Sequence, residues 1–109
     1  MAFDEELANR VRMLMGGRSG FSEKRMFGGI AFLLEGNMCC GTLGDELIVR
    51  LGPEAAEAAL ADPHVREFDV TGRPMKGWAM VGSQAIVDDA ELVRWVDEAA
   101  DFAASLPVK

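Results

Sequence analysis

Hydrophobic and polar positions alternate along this chain with two different periods, and the period changes with position. Phe3, Leu7, Val11 and Leu14 recur at spacings of four, four and three, which predicts a helix over residues 4–15 with one apolar stripe. Asp4, Glu5 and Glu6 open it and Arg10 and Arg12 come later, an order that suits the helix dipole and makes Glu6–Arg10 an i,i+4 pair. The run "GGRSG", 16–20, ends it with a glycine expected in the left-handed cap;. The period then shortens. "SEKRMF" (22–27), "IAFLL" (30–34), "MCCGTL" (38–43) and "LIVRL" (47–51) read as strands, separated by the turn signals "EGN" and "GDE";. In the fourth strand Leu47, Val49 and Leu51 share a face. Short turns between neighbours imply an antiparallel meander.

"GPEAAEAALADP", 52–63, carries a short helix with Pro53 at its first position;. "VREFDV" (65–70) and "WAMV" (78–81) are two more strands, joined by "TGRPMKGW" (71–78). A last helix follows. Asp88 and Glu91 have the spacing of a capping box, and Val87 and Leu92 that of a hydrophobic staple;. Leu92, Val96, Ala99, Ala103 and Leu106 form its stripe, with Trp95 and Phe102 flanking, and Pro107 ends it;. The expected fold class is α+β, in the order α-β-β-β-β-α-β-β-α. An antiparallel sheet covered on one face by the two long helices would bury both stripes.

The chain has 109 residues, half of them hydrophobic, which fits one domain with a modest core. The longest apolar run is far shorter than a membrane span, and the acidic start "MAFDEEL" is no secretory signal;. A cytoplasmic location is the expectation. The net charge is −7, which disfavours direct DNA binding, as does the lack of a basic recognition helix. The charge is segregated. Arg10 to Arg25 holds five cations against Glu23, whereas Asp88 to Asp101 holds six anions against Arg94. The two segments would attract each other or serve separate partners.

No residue pattern marks a catalytic constellation or a metal site. His64, the only histidine, reads as a loop residue. Cys39 and Cys40 are adjacent, so on a regular strand one would face the core and the other would not. Gly28 and Gly29 in "MFGGIAF" read as a strand bend or bulge, with Phe27 and Phe32 in the core, and not as a phosphate loop, because no helix follows to receive an anion. Arg10, Arg12, Arg18, Lys24 and Arg25 could join Arg73 and Lys76 in a basic patch, against the plainer reading of solvated cations paired with carboxylates. In "TGRPMKGW", Gly72, Pro74 and Gly77 fit a turn, and Trp78 would anchor the sheet against a helix. That turn does not account for Arg73, Met75 and Lys76.

"EKRMFGGIAF", "GNM", "LIVRLGPE", "GRPMKGW" and "LVRWVDEAADFAASLPVK" occur in this order and span nearly the whole chain. Together they resemble the TfoX/Sxy N-terminal domain family. The resemblance implies an α+β fold grouped with the secretion-chaperone-like folds. It also implies kinship with a regulator of bacterial natural competence that acts as a transcriptional co-activator and carries a second, C-terminal domain. Residues 1–109 are expected to form a single N-terminal-like domain without that second domain. The family brings no catalytic residues or cofactor. The expected function is therefore a non-enzymatic protein-interaction or regulatory module, with an unknown protein partner and a plausible homodimer. The alternative is a small-ligand or anion-binding domain whose site is Arg25, Arg73, Met75, Lys76 and Trp78.

Overall fold

The computed structural model describes residues 5–26, 29–68 and 77–107. Its elements follow the order α1 (Glu5–Met15), β1 (Phe21–Met26), β2 (Gly29–Leu34), β3 (Asn37–Leu43), β4 (Glu46–Arg50), α2 (Pro53–Ala59), β5 (Val65–Glu67), β6 (Trp78–Val81) and α3 (Asp89–Ala104), with a 3₁₀ turn at Ser83–Ala85. The α-β-β-β-β-α-β-β-α order expected from periodicity is the order observed.

The six strands make one antiparallel sheet in the order β1-β2-β3-β4-β6-β5. The first four strands are a meander because their connections are tight. Leu34 pairs with Asn37 across Glu35 and Gly36, whose φ angles of 52° and 83° put both turn residues in the left-handed region. That is the twist a two-residue hairpin prefers. Helix α2 then carries the chain beyond the growing edge. β5 forms the new edge, and β6 returns to fill the place between β4 and β5.

The core lies between the sheet and the helices. Phe32, Leu47, Val49, Val81, Leu92 and Val96 are fully buried there, each contributing about 1.5–3 kcal/mol by burial. Helix α3 lies over β2, β3 and β4, and α1 packs beside it against β3. The stripe Leu92, Val96, Ala99 and Ala103 faces inward as expected, and Trp95 joins it at 3% exposure. In α1 the inward residues are Leu7, Ala8, Val11 and Met15, and Leu14 is exposed. A 7–11–15 repeat thus wins over 7–11–14. Phe3 lies outside the described residues.

Several local expectations are corrected. The chain leaves α1 through turn bonds from Gly16 N–H to the Arg12 carbonyl and from Arg18 N–H to the Met15 carbonyl, and the left-handed glycine of this stretch is Gly20, just before β1. Asp88 is the N-cap of α3, yet its side chain makes no capping hydrogen bond. Glu91 instead accepts from Arg94 at 2.9 Å. Val87 is exposed, so it does not close a staple on Leu92. Arg10 turns away from its own helix to α3. It donates to the Ile86 carbonyl at 2.9 Å and to Asp89 at 3.0 Å.

The largest departure concerns the cysteines. Phe32 pairs with Cys40 and Leu33 with Met38, which leaves Cys39 as the extra residue of a β-bulge;. The bulge cancels the usual alternation. Both cysteines enter the helix-side core, and both are fully buried. Gly29 meets its neighbour so closely that a Cβ there would lie 1.9 Å from the Thr42 carbonyl oxygen. This close approach, and not a bulge, explains the second glycine of the pair; Phe27 and Gly28 lie outside the described residues.

Candidate functional site

The loop singled out in the sequence, 71–78, enters the described residues only at its end. Arg73, Met75 and Lys76 lie outside them. Gly77 and Trp78 do not, and they fix where the loop rejoins the sheet. Gly77 has φ 89°, and its carbonyl accepts from both Leu51 N–H at 2.8 Å and Gly52 N–H at 3.1 Å. That clamp starts β6 in register, with Trp78 opposite Arg50 and Ala79 opposite Val49.

Register decides the face on which Trp78 lies. Ala79 and Val81 join the helix-side core with Val49 and Leu47, so Trp78 and Met80 occupy the other face with Arg50 and Ile48. The expectation that Trp78 anchors the sheet against a helix is therefore corrected. Its ring packs on Phe68, with centroids 5.8 Å apart and planes at 41°. The Arg50 guanidinium sits 5.4 Å from the Trp78 ring centroid and 5.7 Å from that of Phe102 on α3. Such placements over aromatic faces are attractive. Arg50 was not singled out in the sequence. The signal was available: in "LIVRL", Leu47, Val49 and Leu51 share one face, which leaves Arg50 with Ile48 on the other.

Arg25 is exposed on β1, opposite Ile30. Between β1 and β6 stand β2, β3 and β4, a separation of about 19 Å at the usual strand spacing. Ile30 belongs to the helix-side core, so Arg25 also points to the face opposite Trp78. The fold does not bring these two residues together.

The remaining cations of the suggested basic patch are dispersed. Arg10 pairs with Asp89 at 3.0 Å, Arg12 with Glu23 at 2.8 Å and Arg18 with Asp97 at 3.0 Å. Two of these bridges join the basic segment to the acidic one, so the segments attract each other within the fold. Lys24 pairs in register with Ala31 on the other face of the sheet.

The outer face, on which none of the described helices packs, carries a second apolar cluster. Ile48, Phe68 and Met80 are buried in it, and Met38, Leu43 and Trp78 pack around them half-exposed. Leu33 adjoins Met38 across the bulge, and Gly41 contributes no side chain between Ala31 and Ile48. Polar groups mark the margin. Arg66 donates to Glu46 at 2.6 Å, beside an open depression lined by Asp45, Glu46, His64, Gly82, Ser83 and Gln84. His64 itself is exposed, and its backbone N–H donates to Asp62 at 2.9 Å, as in a local Asx turn. Among the described residues no three His, Cys, Asp or Glu side chains converge as a metal site. No helix among them is long and apolar enough to cross a membrane.

No curated protein and no solved structure matches this chain. A family model does, over residues 13–103, a span that runs from the end of α1 to the last turn of α3 and includes every strand. The chain belongs to the TfoX N-terminal domain family.

Proposed function

We propose that this protein is a non-enzymatic interaction module of regulatory type that engages a protein partner through the outer face of its sheet. The observation that carries the reading is the asymmetry of the two faces. One is closed by α1 and α3. The other presents Leu33, Met38, Leu43 and Trp78 half-exposed around a buried apolar centre. Apolar surface gathered in one place and rimmed by charge is characteristic of recognition surfaces. The regulatory element of the proposal comes from the family resemblance.

The experiment compares tagged wild-type protein with Met38→Glu and with Glu98→Lys, which alters the exposed side of α3. A partner recovered from native cytosol by wild type and Glu98→Lys, and lost with Met38→Glu, supports the outer face. Equal recovery by all three, at low and moderate salt, places recognition elsewhere.

A second reading, an anion or small-ligand site using the "GRPMKGW" loop (72–78), is favoured by Arg50. That cation stands beside Trp78 where the loop rejoins the sheet, over the aromatic faces of Trp78 and Phe102. A thermal-shift screen of nucleotides and phosphorylated metabolites tests it, because a ligand of the native state raises the melting temperature. No shift at millimolar ligand rejects this reading.

A further inference from the structure

Neighbouring side chains on a regular strand diverge to opposite faces. The bulge on β3 makes Cys39 and Cys40 converge instead, in a fully buried position. Met15, the last residue of α1, brings its thioether to both. The Cys39 Sγ lies 3.7 Å and the Cys40 Sγ 3.5 Å from the Met15 Sδ. A hydrogen bond with Cys39 is the main cause that holds the Cys40 thiol well above its ordinary range; burial adds to it, and the charge of Arg18 opposes it.

We propose that Met15, Cys39 and Cys40 form a three-sulfur site for a soft monovalent metal ion of the Cu(I) type. The donor set is the first argument. Thiolate and thioether sulfur select Cu(I) over harder ions, and no carboxylate or imidazole completes a set for a divalent metal among the described residues. Geometry is the second. A metal bound by three sulfurs in one plane at about 2.3 Å separates them by about 4 Å. The two separations from the Met15 sulfur, 3.5 and 3.7 Å, need widen by only a few tenths of an ångström.

The balance of atoms is simple. Two S–H bonds break, two sulfur–metal bonds form, and two protons leave to water. The Met15 sulfur donates a lone pair, and the oxidation state of the metal does not change. The bound unit carries one net negative charge. Entry is at the end of α1, where Met15 is followed by the exposed Gly16 and Gly17, since a helix terminus opens more readily than its middle.

The test is an anaerobic titration of the reduced full chain with Cu(I) in competition with a chromogenic chelator. Wild type is expected to bind one Cu(I) per chain. Met15→Leu should weaken binding roughly 10-fold or more, and the Cys39→Ala/Cys40→Ala double variant roughly 100-fold or more, as loss of a ligand costs at least what loss of its support does. X-ray absorption should show three sulfurs at the metal in wild type and two in Met15→Leu. Competition by wild type no stronger than by the double variant overturns the proposal, as does an unchanged three-sulfur shell in Met15→Leu. Should the double variant fail to fold, the wild-type melting temperature decides. A rise with one equivalent of Cu(I) supports a native site, and a fall shows that the metal prefers thiols of the unfolded chain.

Discussion

Arg10 on α1 ties the start of α3 to the first helix, donating to the Ile86 carbonyl at 2.9 Å and to the Asp89 carboxylate at 3.0 Å. The two bonds differ in weight. The Arg10 side chain is 26% exposed and that of Asp89 is 89% exposed, so water screens the ion pair. The carbonyl bond is partly buried, and its loss strands an acceptor. Arg10→Ala should therefore cost about 1–2 kcal/mol and Asp89→Ala under about 0.5 kcal/mol. Urea unfolding of both variants in moderate salt checks the ranking, and equal losses would mean that the ion pair is the stronger link.

Gly29 is required by space. A Cβ at this position would stand 1.9 Å from a backbone oxygen of the neighbouring strand, whereas at Gly17 it would meet nothing within 4 Å. Gly29→Ala can be relieved only by prising β2 from β3, at the centre of the meander. We expect a loss of more than about 3 kcal/mol, in the range reserved for buried steric conflicts, and no more than about 0.5 kcal/mol for Gly17→Ala. Thermal melts of the pair measure the contrast.

The order of elements was legible because its signals are local. Glu35-Gly36-Asn37 and Gly44-Asp45 each mark a tight turn, and the Leu92–Ala103 stripe is long enough for its period to be unmistakable. What escaped the sequence depends on the partner across the sheet. The bulge at Cys39 arises from the pairing of β2 with β3 and leaves no residue signature. The face of Trp78 follows from its register with Arg50, set by a segment of chain far away. The distance between Arg25 and Trp78 follows from strand order, because β6 inserts beside β4 and not beside β1. Opposite charge on the two segments left mutual attraction and separate partners both open, and gave no sign that Arg18 would choose Asp97.

Glu35 offers a stabilising change. It holds φ 52° at the first position of a two-residue hairpin loop followed by Gly36. An ordinary side chain is strained there, and asparagine is the preferred residue before glycine in such a turn. Glu35→Asn should raise stability by about 0.5–1 kcal/mol, chiefly by relieving that strain. Guanidinium unfolding with an unchanged slope and a higher midpoint confirms it; a lower midpoint would show that the Glu35 carboxylate is worth more than the backbone relief.

Cys40 makes stability depend on alkaline pH. Its thiol titrates well above the usual range in the folded chain, because contact with Cys39 and burial both favour the neutral form. In the unfolded chain it titrates near about 8.5. Below that value both states hold the proton and the contribution is complete. Above it the unfolded chain gives up the proton while the folded chain keeps it, so unfolding becomes easier as pH rises. Stability should fall from about pH 8.5 upward with a slope approaching about 1.4 kcal/mol per pH unit for this one group. Cys40→Ala removes the group. Its stability, measured by urea unfolding from pH 7 to 10, should lose about one proton's worth of that slope relative to wild type, while parallel profiles for the two proteins would assign the decline to other residues.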